Sequence, residues 1–299
     1  MKLLVTGAAG QLGSYLVEHY ARRGDVVGVD LLKPKYPRVA EVTVEGDIKN
    51  QQLMVHLLKD VDVVVHCAAF ISVEESIKHP DRYTENNVMG TSKLLGAALD
   101  AGAKRFVYIS SAAVYGNPVK LPIDETHPLT PISPYGWSKL GGEWYAMHFH
   151  EHLDLPATIV RPFNIYSTRQ DPHSSYSGVI TRFIENAKRG RDLTVQGDGK
   201  QTRDFVSAHD VVHFIELAAS KKGAVGQIFN CGTGHKITVN GLAETIIDIS
   251  ESDIGITHGK AREGDIKHSY PSIEKAKRLL GYEPKVKLED GLRELMREG

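Results

Sequence analysis

The chain has 299 residues, 41% hydrophobic and 24% charged, a composition that allows one large or two modest globular domains. With 36 Lys+Arg against 37 Asp+Glu the net charge is -1, which excludes a protein-wide field directed at nucleic acid or an anionic membrane and makes any anion site local. Two cysteines, Cys67 and Cys231, are too few for a disulfide framework or a zinc set, and the opening Met-Lys-Leu-Leu-Val-Thr-Gly reaches a turn after three apolar residues; buried free thiols in a soluble, cytoplasmic protein are expected.

Short β-branched runs alternate with helical patterns through the first half. Strands are expected over 2–6, 25–29, 41–45, 61–66, 105–110 and 157–161. Between the first two, 11–23 places Leu12, Leu16, Tyr20 and the stem of Arg23 on one helical face. Residues 87–101 repeat the pattern with Val88, Leu94, Leu95, Ala98 and Leu99. The runs Val63-Val64-Val65 and Phe106-Val107-Tyr108-Ile109 are apolar without alternation, as strands covered on both faces are. An α/β fold with a doubly wound parallel (Rossmann) sheet follows.

After Arg161-Pro162 the texture changes. Residues 166–178 are polar without period, 178–189 are helical, and Gly197–Gly199 is a turn. Residues 205–206 and 227–231 read as late strands returning to the main sheet, with helices over 237–249 and 273–281 outside it. The expected organisation is a sheet domain over 1–164 and 205–233 and a smaller discontinuous α/β lobe over 165–204 and 234–299, sharing a cleft.

Gly7-Ala8-Ala9-Gly10-Gln11-Leu12-Gly13 follows the first strand and opens the first helix, where backbone N–H groups and the helix dipole can receive a diphosphate. Taken alone, three glycines equally suit a tight turn. Asp30, 17 residues after Gly13 at the end of the second strand, strengthens the dinucleotide reading: its carboxylate can accept from a ribose and repel a 2′-phosphate, which favours NAD over NADP. Asp47 and Ile48 after the third strand are placed to touch an adenine, although Asp47 equally suits a helix cap. Ala68 and Ala69 end the fourth strand with room for a flat ligand.

Tyr135-Gly136-Trp137-Ser138-Lys139 sets a phenol and an ammonium on one helix face, able to tune a base toward neutral pH. An amphipathic helix produces the same spacing. Ser111, in a serine pair at the carboxyl end of a strand, supplies a hydroxyl able to bridge substrate and phenol. His148-Phe149-His150-Glu151-His152 spells a zinc-peptidase motif with no further ligand evident, so no metal is expected.

In order along the chain, the glycine fingerprint, Asp30, 66–69, Asn86-Asn87-Val88, Ser111, Tyr135/Lys139, Arg161-Pro162-Phe163-Asn164, Arg203-Asp204-Phe205 and Arg262-Glu263-Gly264-Asp265 resemble the extended short-chain dehydrogenase/reductases. Among these the chain is similar to NAD-dependent nucleotide-sugar epimerases of the UDP-glucose 4-epimerase type, over nearly its whole length. The resemblance implies NAD as cofactor, Tyr135 as catalytic base, Lys139 as its electrostatic partner and ribose ligand, and Ser111 as proton relay. It further implies Asn87 as an organiser at the cofactor, Pro162 at the nicotinamide, Asn164, Arg203 and Arg262 on a sugar diphosphate, and a homodimer through 87–101 and 135–148. Arg203 and Arg262 suit a diphosphate physically, since guanidinium forks bind it bidentately; either alone equally suits a surface ion pair.

Related dehydratases carry acidic residues directly after the hydroxyl residue, where this chain has Ala112-Ala113, so elimination of water is not expected. Asp30 argues against the NADPH that net reductases often use. Ser269 is similar in position to a bulky aromatic of some epimerases, and its small side chain is expected to admit N-acetylated UDP-hexoses. The alternatives are another UDP-sugar epimerase, such as one for UDP-glucuronate, a 4-keto-sugar reductase, or a non-enzymatic dinucleotide sensor.

Overall fold

A computed structural model describes residues 1–170, 178–261 and 266–298. Six strands of the main sheet are β1 (Leu3–Thr6), β2 (Val26–Asp30), β3 (Thr43–Glu45), β4 (Val63–His66), β5 (Arg105–Ile109) and β6 (Ala157–Pro162); Gln227–Cys231 is the seventh. Their spatial order is Gln227–Cys231, β6, β5, β4, β1, β2, β3, and every pairing is parallel. This is the doubly wound arrangement. Its order reverses between β1 and β4, so a crevice opens there at the carboxyl ends of the strands.

Helices cover both faces, which is why β4 and β5 are buried at every position. On one face Leu16, Val17 and Tyr20 of the Gln11–Ala21 helix meet Phe214 and Ile215 of the Ala208–Ser220 helix. On the other, Leu94, Leu95 and Ala98 of the Gly90–Asp100 helix meet Met54 and Leu57 of Gln51–Leu57. Each Leu, Val, Ile, Met or Phe among these contributes about 1.5–3 kcal/mol of burial.

Three sequence expectations are corrected. The strand expected over 41–45 is shorter, because Pro37 occupies the first turn of a helix, Pro37–Glu41, and only Thr43–Glu45 pairs with β2. The helix expected over 87–101 is regular from Gly90; Thr84–Met89 forms a wider π-helical turn ahead of it. Phe205–Ser207 does not join the main sheet. The place beside β6 is taken by Gln227–Cys231, whose register runs to Pro162, so Phe205–Ser207 pairs with Asn164–Tyr166 in a separate parallel ribbon.

A third core lies apart, built by Ile180, Phe183 and Ile184 of Val179–Lys188, Leu242 and Ile246 of Val239–Ser250, and Leu292 and Leu295 of Leu288–Glu298. Leu193–Gln196 pairs with Ile256–Gly259 beneath it. Against the expectation that 273–281 belongs to the second lobe, the Glu274–Leu280 helix returns to the main sheet, because Ile273, Ala276, Leu280 and Tyr282 join the first core, with Tyr282 4.6 Å from Phe214 between ring centres. Among the described residues no helix is long and apolar enough to cross a membrane.

Candidate active site

The crevice at the switch point is a cleft of about 700 Å³. Its floor is the turn from β1 into the first helix. Gly7 adopts φ +70°, and a Cβ there would stand 2.7 Å from the Ala68 nitrogen; a Cβ on Gly13 would stand 2.0 Å from the Gly7 carbonyl oxygen. The glycines are therefore required by backbone packing against backbone, and that packing exposes the start of the helix at Gly10 and Gln11 to the cleft, with no acidic residue in its first turn. Such a terminus suits a diphosphate.

Asp30 lines the cleft and also shapes it. One carboxylate oxygen accepts from Ala9 N at 2.9 Å and the other from Leu32 N at 2.9 Å. Asp47 accepts from Lys49 N at 2.8 Å, while the following helix is capped by Asn50, so Asp47 is left to face the cleft beside Ile48. The glycine turn, Asp30, Asp47, Ile48, Ala68 and Ala69 together make a surface that fits a dinucleotide.

At the other end stand Ser111, Tyr135, Lys139, Pro162 and Asn164. Tyr135 sits in the first turn of the Pro134–His152 helix, which Ser133 caps by accepting from Gly136 N at 3.1 Å. Burial raises the Tyr135 phenol above its ordinary pKa, and the hydrogen bond from Ser111 opposes that rise. Burial lowers Lys139 to about 8, with Cys67 and Glu143 acting the other way. Its ammonium lies 4.6 Å from the centre of the Tyr108 ring. Ser111 caps the short 3-10 turn Ala112–Val114, accepting from Ala113 N at 3.1 Å.

Asn87 is brought near the cleft but does not line it. Its side chain is fully used within the protein: Oδ1 accepts from Phe70 N and from Asn86, and Nδ2 donates to Phe70 O and Ser138 Oγ. Its neighbour Asn86 is the one that reaches the cleft, together with Phe70, Ile71, Leu31 and Leu32. The doublet Asn86-Asn87 was a visible signal; the π-helical turn that decides which of the two faces the ligand was not.

Arg203 and Ser269 lie apart from this cleft's lining but beside each other, as partners in the pairing of His268–Ser269 with Thr202–Arg203. Asn164 connects the two regions, its Nδ2 donating to Asp204 O at 2.7 Å. Arg262 lies outside the described residues. Cys67 is only partly buried and lines the cleft, against the expectation of two buried thiols, because β4 ends one residue earlier; Cys231 is buried. The rings of His148 and His152 are 5.0 Å apart, and among the described residues no group of three His, Cys, Asp or Glu side chains could hold a metal ion.

Comparison with known proteins places this geometry among nucleotide-sugar enzymes. Residues 4–295 match the family model of GDP-mannose 4,6 dehydratase. A UDP-glucose 4-epimerase of Thermotoga maritima, solved with UDP-glucose, is 36% identical, with a TM-score of 0.94 over 100% of this chain and 98% of that one. The UDP-N-acetylglucosamine 4-epimerase of Methanobrevibacter ruminantium, in complex with UDP-N-acetylmuramic acid, is 32% identical, with a TM-score of 0.93 over 99% and 97%. A dTDP-glucose 4,6-dehydratase of Streptomyces venezuelae with NAD bound is 32% identical, with a TM-score of 0.90 over 100% and 96%.

Proposed function

The chain belongs to the NAD-dependent epimerase/dehydratase family, enzymes of the short-chain dehydrogenase/reductase class that act on nucleotide sugars, and from that premise we propose that it is a 4-epimerase of UDP-hexoses, interconverting UDP-glucose and UDP-galactose. One observation carries this choice over a dehydratase. Ser111, which lines the cleft, is followed directly by Ala112 and Ala113, and neither side chain can take or give a proton. Elimination of water from the sugar needs an acid and a base there.

The glycine turn, Asp30, Asp47, Ile48, Ala68, Ala69, Asn86, Lys139 and Pro162 would hold NAD, with the Asp30 carboxylate repelling a 2′-phosphate. When bound, NAD supplies the acceptor for hydride from sugar C4 and the donor that returns it. Tyr135 takes the proton of the C4 hydroxyl, directly or across Ser111, as C4 becomes a carbonyl. Lys139 adds positive charge beside the ribose and the phenolate. Asn164, Arg203 and Arg262 grip the diphosphate while the 4-keto sugar turns over to present the opposite face of C4 to the returning hydride, and Tyr135 gives its proton back to the C4 oxygen. The small Ser269 beside Arg203 supports acceptance of N-acetylated UDP-hexoses as well.

We assign 1–164 with 205–233 to the NAD-binding domain and 165–204 with 234–299 to the nucleotide-sugar lobe built around the third core, apart from the Glu274–Leu280 helix and Tyr282, which pack into the first core. Exposed Met89, Trp137 and Trp144 on the paired helical segments support a homodimer through them, and the free thiols support a cytoplasmic setting. The test is proton NMR of UDP-galactose incubated with the purified protein and trace NAD. UDP-glucose formation without net NADH is expected, and accumulation of a 6-deoxy-4-keto sugar or no conversion would refute the reading.

A further inference from the structure

Glu143 and Arg161 form an ion pair with side chains only 2% and 1% exposed, and no step of the proposed chemistry uses either. The pair is bidentate: Arg161 Nη2 donates to Glu143 Oε2 at 2.6 Å and Nε to Oε1 at 2.8 Å. Ser110 Oγ donates to the same Oε1. The remaining Arg161 nitrogen, Nη1, donates to Tyr115 Oη at 2.8 Å, and that hydroxyl donates in turn to Asn230 Oδ1 at 2.6 Å.

Two charges so deeply buried are a poor way to gain stability, since apolar residues of similar volume often do as well or better. Their placement supplies a different reason. Ser110 immediately precedes Ser111, Arg161 immediately precedes Pro162, and Glu143 lies one helical turn beyond Lys139 and two beyond Tyr135, on the same face. One carboxylate and one guanidinium thus tie together the three elements that carry the catalytic hydroxyl, the phenol with its ammonium, and the wall expected at the nicotinamide. Apolar packing could fill this volume but fixes no bond directions.

We propose that Glu143 and Arg161 are positioning residues that hold Ser111, Tyr135 and Lys139 in register for proton and hydride transfer. The proposal rests on those three residues being the catalytic set. It is tested by comparing the full chain with a Glu143→Leu/Arg161→Met double variant, which leaves no buried charge unpaired, and with Ser110→Ala. Thermal unfolding, kcat and KM for UDP-galactose, and NAD affinity by calorimetry are measured on each.

The expected result is a folded double variant whose kcat falls about a hundredfold, the loss typical of an ångström-scale misplacement, with KM held within about twofold. Ser110→Ala should lose about tenfold in kcat by the same effect on a single link. A folded double variant with wild-type kcat overturns the proposal; if that variant does not fold, an unchanged kcat in Ser110→Ala overturns it. Should the wild type not epimerise UDP-galactose, the functional reading fails separately and NAD affinity decides. Weaker binding in the folded variants then supports the positioning role, and equal binding overturns it.

Discussion

The side chain of Asn87 binds both main-chain groups of Phe70, accepting from its N–H at 2.8 Å and donating to its carbonyl at 2.9 Å. It therefore acts on the cleft at second hand, by fixing the segment after β4 that carries Ala68, Ala69 and Phe70. Asn87→Leu should leave the Phe70 groups and Ser138 without this partner and cost about 2–4 kcal/mol, as lost buried hydrogen bonds do. Denaturant unfolding measures the loss, which should come with weaker NAD binding. Stability within about 0.5 kcal/mol of wild type would contradict this role.

The carboxylate of Asp30 stands at the end of β2 with its oxygens on Ala9 N and Leu32 N. Asp30→Ser should lower NAD affinity about tenfold or more, roughly 1.4 kcal/mol, and reduce discrimination against NADP by a similar factor. Calorimetric titration with each dinucleotide checks it. An unchanged preference for NAD would place the selectivity elsewhere.

A buried histidine gives a pH dependence of known sign. His66 Nδ1 lies 2.7 Å from Thr6 Oγ1 and Nε2 lies 2.8 Å from Thr91 Oγ1. Thr91 already donates to Asn87 O, so Nε2–H donates to Thr91 and Nδ1 accepts from Thr6, and a second ring proton would displace the Thr6 hydroxyl hydrogen from that bond. Burial and the nearby Lys139 lower its pKa to about 3, while the Phe106 and Tyr108 rings pack around it. With the folded pKa below the unfolded value of about 6.5, this contribution to stability is complete above pH 6.5 or so and is lost as pH falls. Near pH 4.5 the loss should be about 3 kcal/mol. His66→Asn should flatten that part of the stability profile whatever its absolute level, and an equal acid slope in the variant would contradict the assignment.

Ser269 neighbours Arg203 across the small sheet. If its size admits an N-acetyl group, Ser269→Tyr should reduce kcat/KM for UDP-N-acetylgalactosamine by about tenfold or more while sparing UDP-galactose, a discrimination of about 1.4 kcal/mol or larger. Coupled assays on the two substrates read this directly. Equal losses on both would show that the residue does not contact the C2 substituent.

Much of this was legible in the chain itself. The glycine turn, Asp30, Ser111, Tyr135 and Lys139 come together because they sit at strand ends and helix starts, positions that sequence pattern locates well, and the structure gathers them into one cleft. What was hidden depends on tertiary context. The π-helical turn at Thr84–Met89 turns Asn86, not Asn87, to the cleft, and no periodicity announces it. Phe205–Ser207 reads as a strand, but its partner is decided by which segment already occupies the edge of β6. The Glu143–Arg161 pair is 18 residues apart in sequence and looks like two ordinary surface charges until the helix is laid on the sheet.

The most direct test of the central claim follows the hydrogen at C4. UDP-galactose deuterated at C4 is converted by the protein with NAD in ordinary water, and the product is read by NMR. Removal and return of hydride within one site predicts UDP-glucose that retains deuterium at C4, with none passed to solvent, and no such product from Tyr135→Phe. Deuterium appearing at C6 of a 6-deoxy-4-keto product, or exchanged for solvent hydrogen, would contradict the account.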